Sequence, residues 1–384
     1  MKRLLKQASD FLASYKLSCV LFLLLLLLTY LGTMHQVEHG LYQSQLKYFE
    51  SVFLVHWAFG VIPIPLPGGY LLMVLTFANL LWGVVVRFRM SWARLGMVVG
   101  HAGILVLLVG AFVSYVSSIS GSMALYEGES SGEIVSSNEW EISVAGADVS
   151  GPVTEHVIAQ ADFEDLTGAK SRLFTFSGQP FQLRIGGFIL NAAPVGGDAG
   201  GSSRLAALPP DREYQRNQPG VTVEAVDTAS GQVRQTIAWA GAGAPSRFSA
   251  GGKEWRVTMR PRRWQLPFTI RLDRFVRVLH PGTSMPSEFS SFVTKTEGGE
   301  ERQIRITMNE PLRHHGFTFY QSSWGPQNAG PNDRLYSVFS VVRNPADQVP
   351  LYACIITTLG LAWHFLLKLA AYLRRERANK ARRA

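Results

Sequence analysis

The sequence predicts an α-helical polytopic membrane protein of four transmembrane helices that carries a large extracytoplasmic all-β domain. Three observations predict it. Four blocks of 17 to 22 residues are apolar and almost free of charge. Three short basic segments fall on one side of a four-span topology. The long stretch between the third and fourth blocks breaks into short runs rich in β-branched and aromatic residues, punctuated by Gly and Pro. Hydrophobic residues make up 47% of the 384, an ordinary share for a globular protein. Their clustering, not their total, carries the argument.

Residues 1–16 read as an interfacial helix, with Leu4, Ala8, Phe11, Leu12 and Tyr15 at helical spacing and Lys2, Arg3 and Lys6 available to lipid phosphates. The first span is 17–33, LSCVLFLLLLLLTYLGT. No small-residue cleavage site follows it, so it is expected to be an uncleaved anchor and not a signal peptide. The loop 34–68 is expected on the extracytoplasmic side, with Tyr42, Tyr48, Phe49, Trp57 and Phe59 lying at the membrane surface before the Pro-rich IPIPLPGG. The second span is 69–86, a cytoplasmic loop is 87–94, and the third span is 95–116. The β domain occupies 117–348, the fourth span 349–367, and a basic cytoplasmic tail 368–384. At about 1.5 Å per residue, each block crosses a hydrocarbon core of roughly 30 Å.

Within the β domain, EWEISVAG, QPFQLRIGGFIL, KEWRVTMRP and RQIRITMNEP are the clearest strand candidates. PFQLRIGGF at 180–188 and PFTIRLDRF at 267–275 look alike, as two related lobes would. The Gly/Ala/Pro-rich stretch 195–220 between them is expected to be a mobile loop.

Residues 1–16, 87–94 and 368–384 carry net charges of +3, +3 and +6, against +9 for the whole chain. Everything else is therefore slightly acidic. The basicity belongs to membrane flanks, which places both termini on the cytoplasmic side of a plasma (inner) membrane and argues against nucleic acid as a partner. Two cysteines, Cys19 and Cys354, fall at opposite ends of their spans, too far apart to bridge. There is no CxxC, so dithiol–disulfide exchange through that motif is excluded.

The chemistry-bearing residues are histidines. His101 lies inside VVGHAGILVLLVG and His364 inside GLAWHFLLK. An ionisable group in a span usually faces protein or a cavity. Counting residues from the cytoplasmic ends puts both imidazoles at similar depth, within roughly 5 Å. Imidazole suits iron, copper or zinc; a pair at one depth could ligate a haem iron axially, or each could pair with a histidine on another subunit, and hydrogen bonding to a neighbouring helix is the bland alternative. Gly96, Gly100, Gly103, Gly110 and Ser114 share another stripe of the third span, more than about 90° from His101 at 100° per residue, where a helix can approach closely. His35 and His39, and His314 and His315, are expected to be surface and loop residues. No nucleophilic triad, P-loop or dinucleotide fingerprint is present.

Five stretches together carry a resemblance. LGTMHQVEHGLYQSQLKYFES, PGGYLLMVLTFANLLWG, RLGMVVGHAGILVLLVG, PFTIRLDRFVRVLHPGTSMPSEFSSFV and MNEPLRHHGFTFYQSSWG resemble, in order, signatures of ResB/CcsB-type cytochrome c biogenesis proteins of the system II haem delivery and attachment pathway. The resemblance implies four spans and an outer β domain. It implies a CcsA/ResC-type polytopic membrane protein as partner, with apocytochrome c and haem b as substrates. Its histidine in the G-H-x-G-I segment, implicated as a haem ligand, corresponds to His101. His364 is a candidate from depth alone. The chain is then a subunit of a cytochrome c synthase complex whose catalysis needs the partner, and no residue here is assigned a catalytic role. The alternative is a non-catalytic scaffold whose β domain docks the partner and apocytochrome c. Arg87, Arg89 and Arg94 are expected to meet the haem propionates, and Tyr320, Gln321 and Trp324 are candidates to face apocytochrome c, with a buried core strand as the equal alternative for Phe317, Phe319 and Tyr320.

Overall fold

The computed structural model describes residues 2–87, 91–147, 154–196, 204–282, 286–326 and 333–382. Arg89, residues 197–203 of the 195–220 stretch and the Thr-Ser-Met of the HPGTSMP segment lie outside the described residues. The chain forms two compact units, Met1–Ser118 with Asn344–Ala384, and Ile119–Arg343. The fold class read from the sequence holds: among the described residues four helices are long and apolar enough to span a membrane, and a large β unit accompanies them.

The helical unit begins with α1 (Lys2–Leu12), which buries none of its residues. The chain breaks at Ala13, and Ser14 caps α2 (Tyr15–His39) by accepting from Leu17 N at 3.1 Å. The short α3 (Leu41–Ser44) and one π turn, Gln45–Phe49, follow. The stretch that leads to the next span then forms a hairpin, β1 (Phe53–Ala58) and β2 (Ile62–Pro67), turning at Phe59 and Gly60, both at positive φ. The prolines do not prevent a strand there. Pro63, Pro65 and Pro67 recur every second residue opposite Trp57, Val55 and Phe53. Their missing N–H groups therefore all face the unpaired edge of β2.

The spans continue with α4 (Gly69–Arg87), α5 (Trp92–Ser117) and α6 (Val349–Ala381). Helices α5 and α6 meet along the glycine stripe: Gly96, Gly100, Gly103 and Gly110 are all buried, as is Gly360 on α6. A Cβ added at Gly96 would lie 2.6 Å from Gly360 O, and one at Gly103 would lie 2.8 Å from Thr357 N. Such closeness gives dispersion contact and desolvates little, which is how helices associate in lipid. Both ends of the seam are pinned. Asn344 Nδ2 donates to Ser114 Oγ at 3.0 Å, and Trp363 Nε1 donates to Trp92 O at 3.2 Å.

The β unit runs β3 (Ile119–Tyr126), β4 (Ser130–Gly146), β5 (Glu155–Ala159), β6 (Ser171–Thr175), β7 (Phe181–Ile189), β8 (Ala192–Val195) and β9 (Arg204–Ala207). It continues with β10 (Gly220–Asp227), β11 (Val233–Trp239), β12 (Ser246–Ala250), β13 (Lys253–Leu279) and β14 (Pro286–Glu297). It closes with β15 (Glu300–Thr307), β16 (Leu312–His314), β17 (Phe317–Gly325) and β18 (Tyr336–Arg343). One sheet is ordered β15-β14-β13-β4-β3-β18-β17-β16, with β12 added on β13 and β5 on β4; a second is β11-β10-β7-β6. The two look-alike runs fall in different sheets, the first on β7 and the second within β13.

Two cores result. One packs Ile142, Val144, Leu183, Ile185, Val221 and Val257. The other packs Ile134, Ile270, Leu272, Val293, Phe319 and Phe339. The long strands β4 and β13 contribute to both, and their register slips at Pro261, between the two halves. In the second core the sheet curls until β15, at one end, touches β16 and β17, at the other. The described part of the 195–220 stretch is structured: Tyr214 is buried, and Asn217 Oδ1 accepts from Asp211 N at 2.8 Å.

Candidate functional site

Helices α2, α4 and α5 enclose a groove of about 420 Å³, within the range of small-molecule sites. Periodicity puts its walls in place. Met73, Thr76, Leu80, Gly83, Val84 and Arg87 form one face of α4, and His101, Ile104 and Leu108 form one face of α5. The lining is largely apolar. Gly83 opens it: a Cβ there would find nothing within 4 Å. Arg87 stands at one end, its guanidinium 4.8 Å from the ring centroid of Tyr15.

His101 is the imidazole of this groove. Its Nδ1 donates to Met97 O at 2.7 Å, one turn back. That bond selects the tautomer with its lone pair on Nε2, the form a ligand to iron needs. Asn79, which also lines the groove, stitches the bend between α1 and α2. Its Nδ2 donates to Leu12 O at 2.6 Å and to Ser14 O at 3.3 Å, and its Oδ1 accepts from Ser18 Oγ at 2.7 Å. No periodicity signal marked Asn79; a buried amide in an apolar helix is legible only as a polar residue that must find partners.

His364 sits elsewhere. Its backbone packs on Gly96 in the α5–α6 seam, its side-chain Nδ1 is buried with no hydrogen-bond partner among the described residues, and it does not line the groove. The structure therefore does not bring His101 and His364 together. Similar depth in the membrane left open which way each ring faces, and helix phase sends them to different sides of α5.

The other histidines are engaged. His35 Nδ1 lies 2.8 Å from Ser44 Oγ, and its ring stacks on that of His39 at 3.9 Å. His56 Nδ1 lies 2.7 Å from the hydroxyl of the fully buried Tyr48, whose phenol burial pushes upward in pKa. His314 ends β16 and His315 opens the turn to β17; both bond Glu297, 17 and 18 residues away in sequence. Of the three residues expected to face apocytochrome c, only Tyr320 is exposed. Gln321 accepts from Ser291 Oγ and Ser337 Oγ, and Trp324 is in the core against Phe275. A register slip between Gln321 and Ser323 shifts the strand's alternation by one residue, which turns Trp324 inward.

Comparison with known proteins finds one family model and two partial relatives. Residues 246–333 match the ResB-like family model. The chain is 40% identical over 57 residues to cytochrome c biogenesis protein CcsB of Crocosphaera subtropica, covering 15% of this chain and 13% of that protein. It is 27% identical over 108 residues to protein NrfI of Wolinella succinogenes, covering 28% of this chain and 11% of that protein. The matches thus span roughly a tenth of each relative's length. The resemblance to ResB/CcsB-type proteins read from the five motifs holds.

Proposed function

We propose that this chain is the haem-handling half of a membrane cytochrome c synthase complex: it takes haem b into the α2–α4–α5 groove and passes it on for attachment to apocytochrome c. The observation that carries the reading is His101. It is an imidazole with Nδ1 fixed by Met97 O, set in an apolar groove of about 420 Å³ beside the open surface of Gly83. Haem is an apolar disc with an iron that accepts imidazole and two propionates that accept guanidinium, and the groove is lined by His101 and Arg87, which match those parts. The basic ends of the spans favour the cytoplasmic side for Arg87, so the groove opens where haem is made available from inside. His364 is not proposed as the second ligand of the same iron; that ligand falls to a CcsA/ResC-type partner.

The test is the complex of the full chain co-expressed with such a partner and purified in mild detergent. His101→Ala is expected to remove most of the Soret absorbance while both proteins accumulate and co-purify. His364→Ala is expected to keep it. Full Soret absorbance in His101→Ala would favour a scaffold that only docks the partner and apocytochrome c.

A further inference from the structure

A second constellation lies in the β unit, at the seam where the two ends of the curled sheet meet. It is built from two hairpin tips. Glu297 ends β14, and the turn to β15 is Gly298–Gly299, at φ of 57° and 88°. His314 ends β16, and the turn to β17 is His315–Gly316, at φ of 48° and 77°. Both are two-residue turns with two positive φ values, the form that matches the twist of paired strands. Glycine fits such positions freely; a histidine is held there at some cost. The result is that two adjacent imidazoles stand side by side, ring centroids 4.4 Å apart, backed by the buried ring of Phe268 at 4.9 Å from one and 6.2 Å from the other.

Both rings aim at the same carboxylate. His314 Nε2 lies 2.6 Å from Glu297 Oε2, and His315 Nε2 lies 2.6 Å from Glu297 Oε1. One ligand atom from each of the three residues falls within a sphere of mutual distances under 4.8 Å. Lys295 Nζ completes the group, 2.7 Å from Glu297 Oε2 and 2.8 Å from His314 Nε2. Protons alone leave one close contact of His314 Nε2 unserved: protonated, it donates to the carboxylate and meets the ammonium without a lone pair; unprotonated, it accepts from the ammonium and meets a carboxylate oxygen with no proton between them. A divalent cation would take lone pairs from both imidazoles and the carboxylate at once.

We propose that Glu297, His314 and His315 form a binding site for a divalent transition-metal ion of the zinc class, and that Lys295 is the cation it displaces. Two imidazoles and one carboxylate are a donor set suited to Zn²⁺, with Cu²⁺ and Ni²⁺ as stronger or comparable competitors. Three protein ligands leave a fourth position open. The ion ties the β14–β15 hairpin to the β16–β17 hairpin and so closes the seam of the curled sheet. This site is independent of the groove around His101.

The test uses the full chain in detergent, stripped with chelator and titrated with Co²⁺ by visible absorption, then with Zn²⁺ by calorimetry. The parent is expected to bind one equivalent with the intense bands of low-coordinate Co²⁺. Glu297→Gln and His315→Ala are each expected to lose affinity about ten- to a hundredfold or more. Lys295→Met keeps all three ligands and removes the competing ammonium, so it is expected to bind at least about tenfold more tightly. Circular dichroism of the full chain checks that each variant folds. Unchanged binding in both ligand variants overturns the proposal, and so does a Lys295→Met chain that binds no more tightly than the parent.

Discussion

Substituting alanine at Gly96 and at Gly100 separates two positions that look equivalent in sequence. Both lie on the buried stripe of α5, one turn apart. A Cβ at Gly96 would sit 2.6 Å from Gly360 O, 2.7 Å from His364 N and 3.0 Å from His364 Cα. All three are backbone atoms, which no rotamer change can move. Ordinary contact begins near 3.4 Å, so α6 must retreat by the better part of an ångström along this part of the seam. Forcing a methyl into a packed contact of this kind costs about 1–3 kcal/mol. At Gly100 the nearest atom to an added Cβ is Thr357 O at 4.0 Å, and Gly100→Ala is expected to stay within about 0.5 kcal/mol of the parent. The assay is equilibrium unfolding in mixed micelles followed by Trp fluorescence, since Trp92 and Trp363 lie across this seam with ring centroids 6.1 Å apart. Equal effects at the two positions, or a larger one at Gly100, would refute the packing of α5 on α6 through Gly96.

Three further outcomes follow from the same reasoning. Arg260 Nε bonds Glu141 Oε1 at 2.8 Å, and its Nη2 bonds Glu155 Oε2 at 2.5 Å, with Glu141 only 4% exposed; Arg260→Met strands that carboxylate and is expected to cost about 3–5 kcal/mol in thermal or urea unfolding. Asp227 accepts from the backbone N–H groups of Gly251, Ser230 and Ala229, which hold its pKa down at about 2. Its folded pKa is below its unfolded one, so its contribution is complete above about pH 4 and fades as pH falls through 2. Asp227→Asn is expected to flatten the acid limb of an unfolding-versus-pH curve. In the purified complex, His101→Ala is expected to lose haem and His364→Ala to retain it, read as Soret absorbance per chain.

The spans and the β character were legible because both are patterns of composition over many residues. The glycine stripe was legible too, since small residues at helical spacing have few other uses in a membrane helix; its partner, α6, was not. The histidines divide along the same line. His101 stood out as a lone imidazole among apolar residues. Which side of α5 it faces, and that His364 lies in the α5–α6 seam, depend on how helices rotate against each other, which no local pattern records. Trp324 was misplaced because one extra residue near Ser323 inverts the alternation on which strand reading relies. Glu297 escaped notice for a different reason: it meets His314 and His315 only because the sheet curls to bring distant hairpins together.

The most direct test of the central claim fills the groove without touching its imidazole. Gly83 faces that space with nothing within 4 Å of an added Cβ, and leucine is a better helix former than glycine by several tenths of a kcal/mol. Gly83→Leu should therefore fold and co-purify with the partner at parental yield. The prediction is that its Soret absorbance falls to the level of His101→Ala. A Gly83→Leu complex that carries as much haem as the parent would contradict the assignment of haem to this groove.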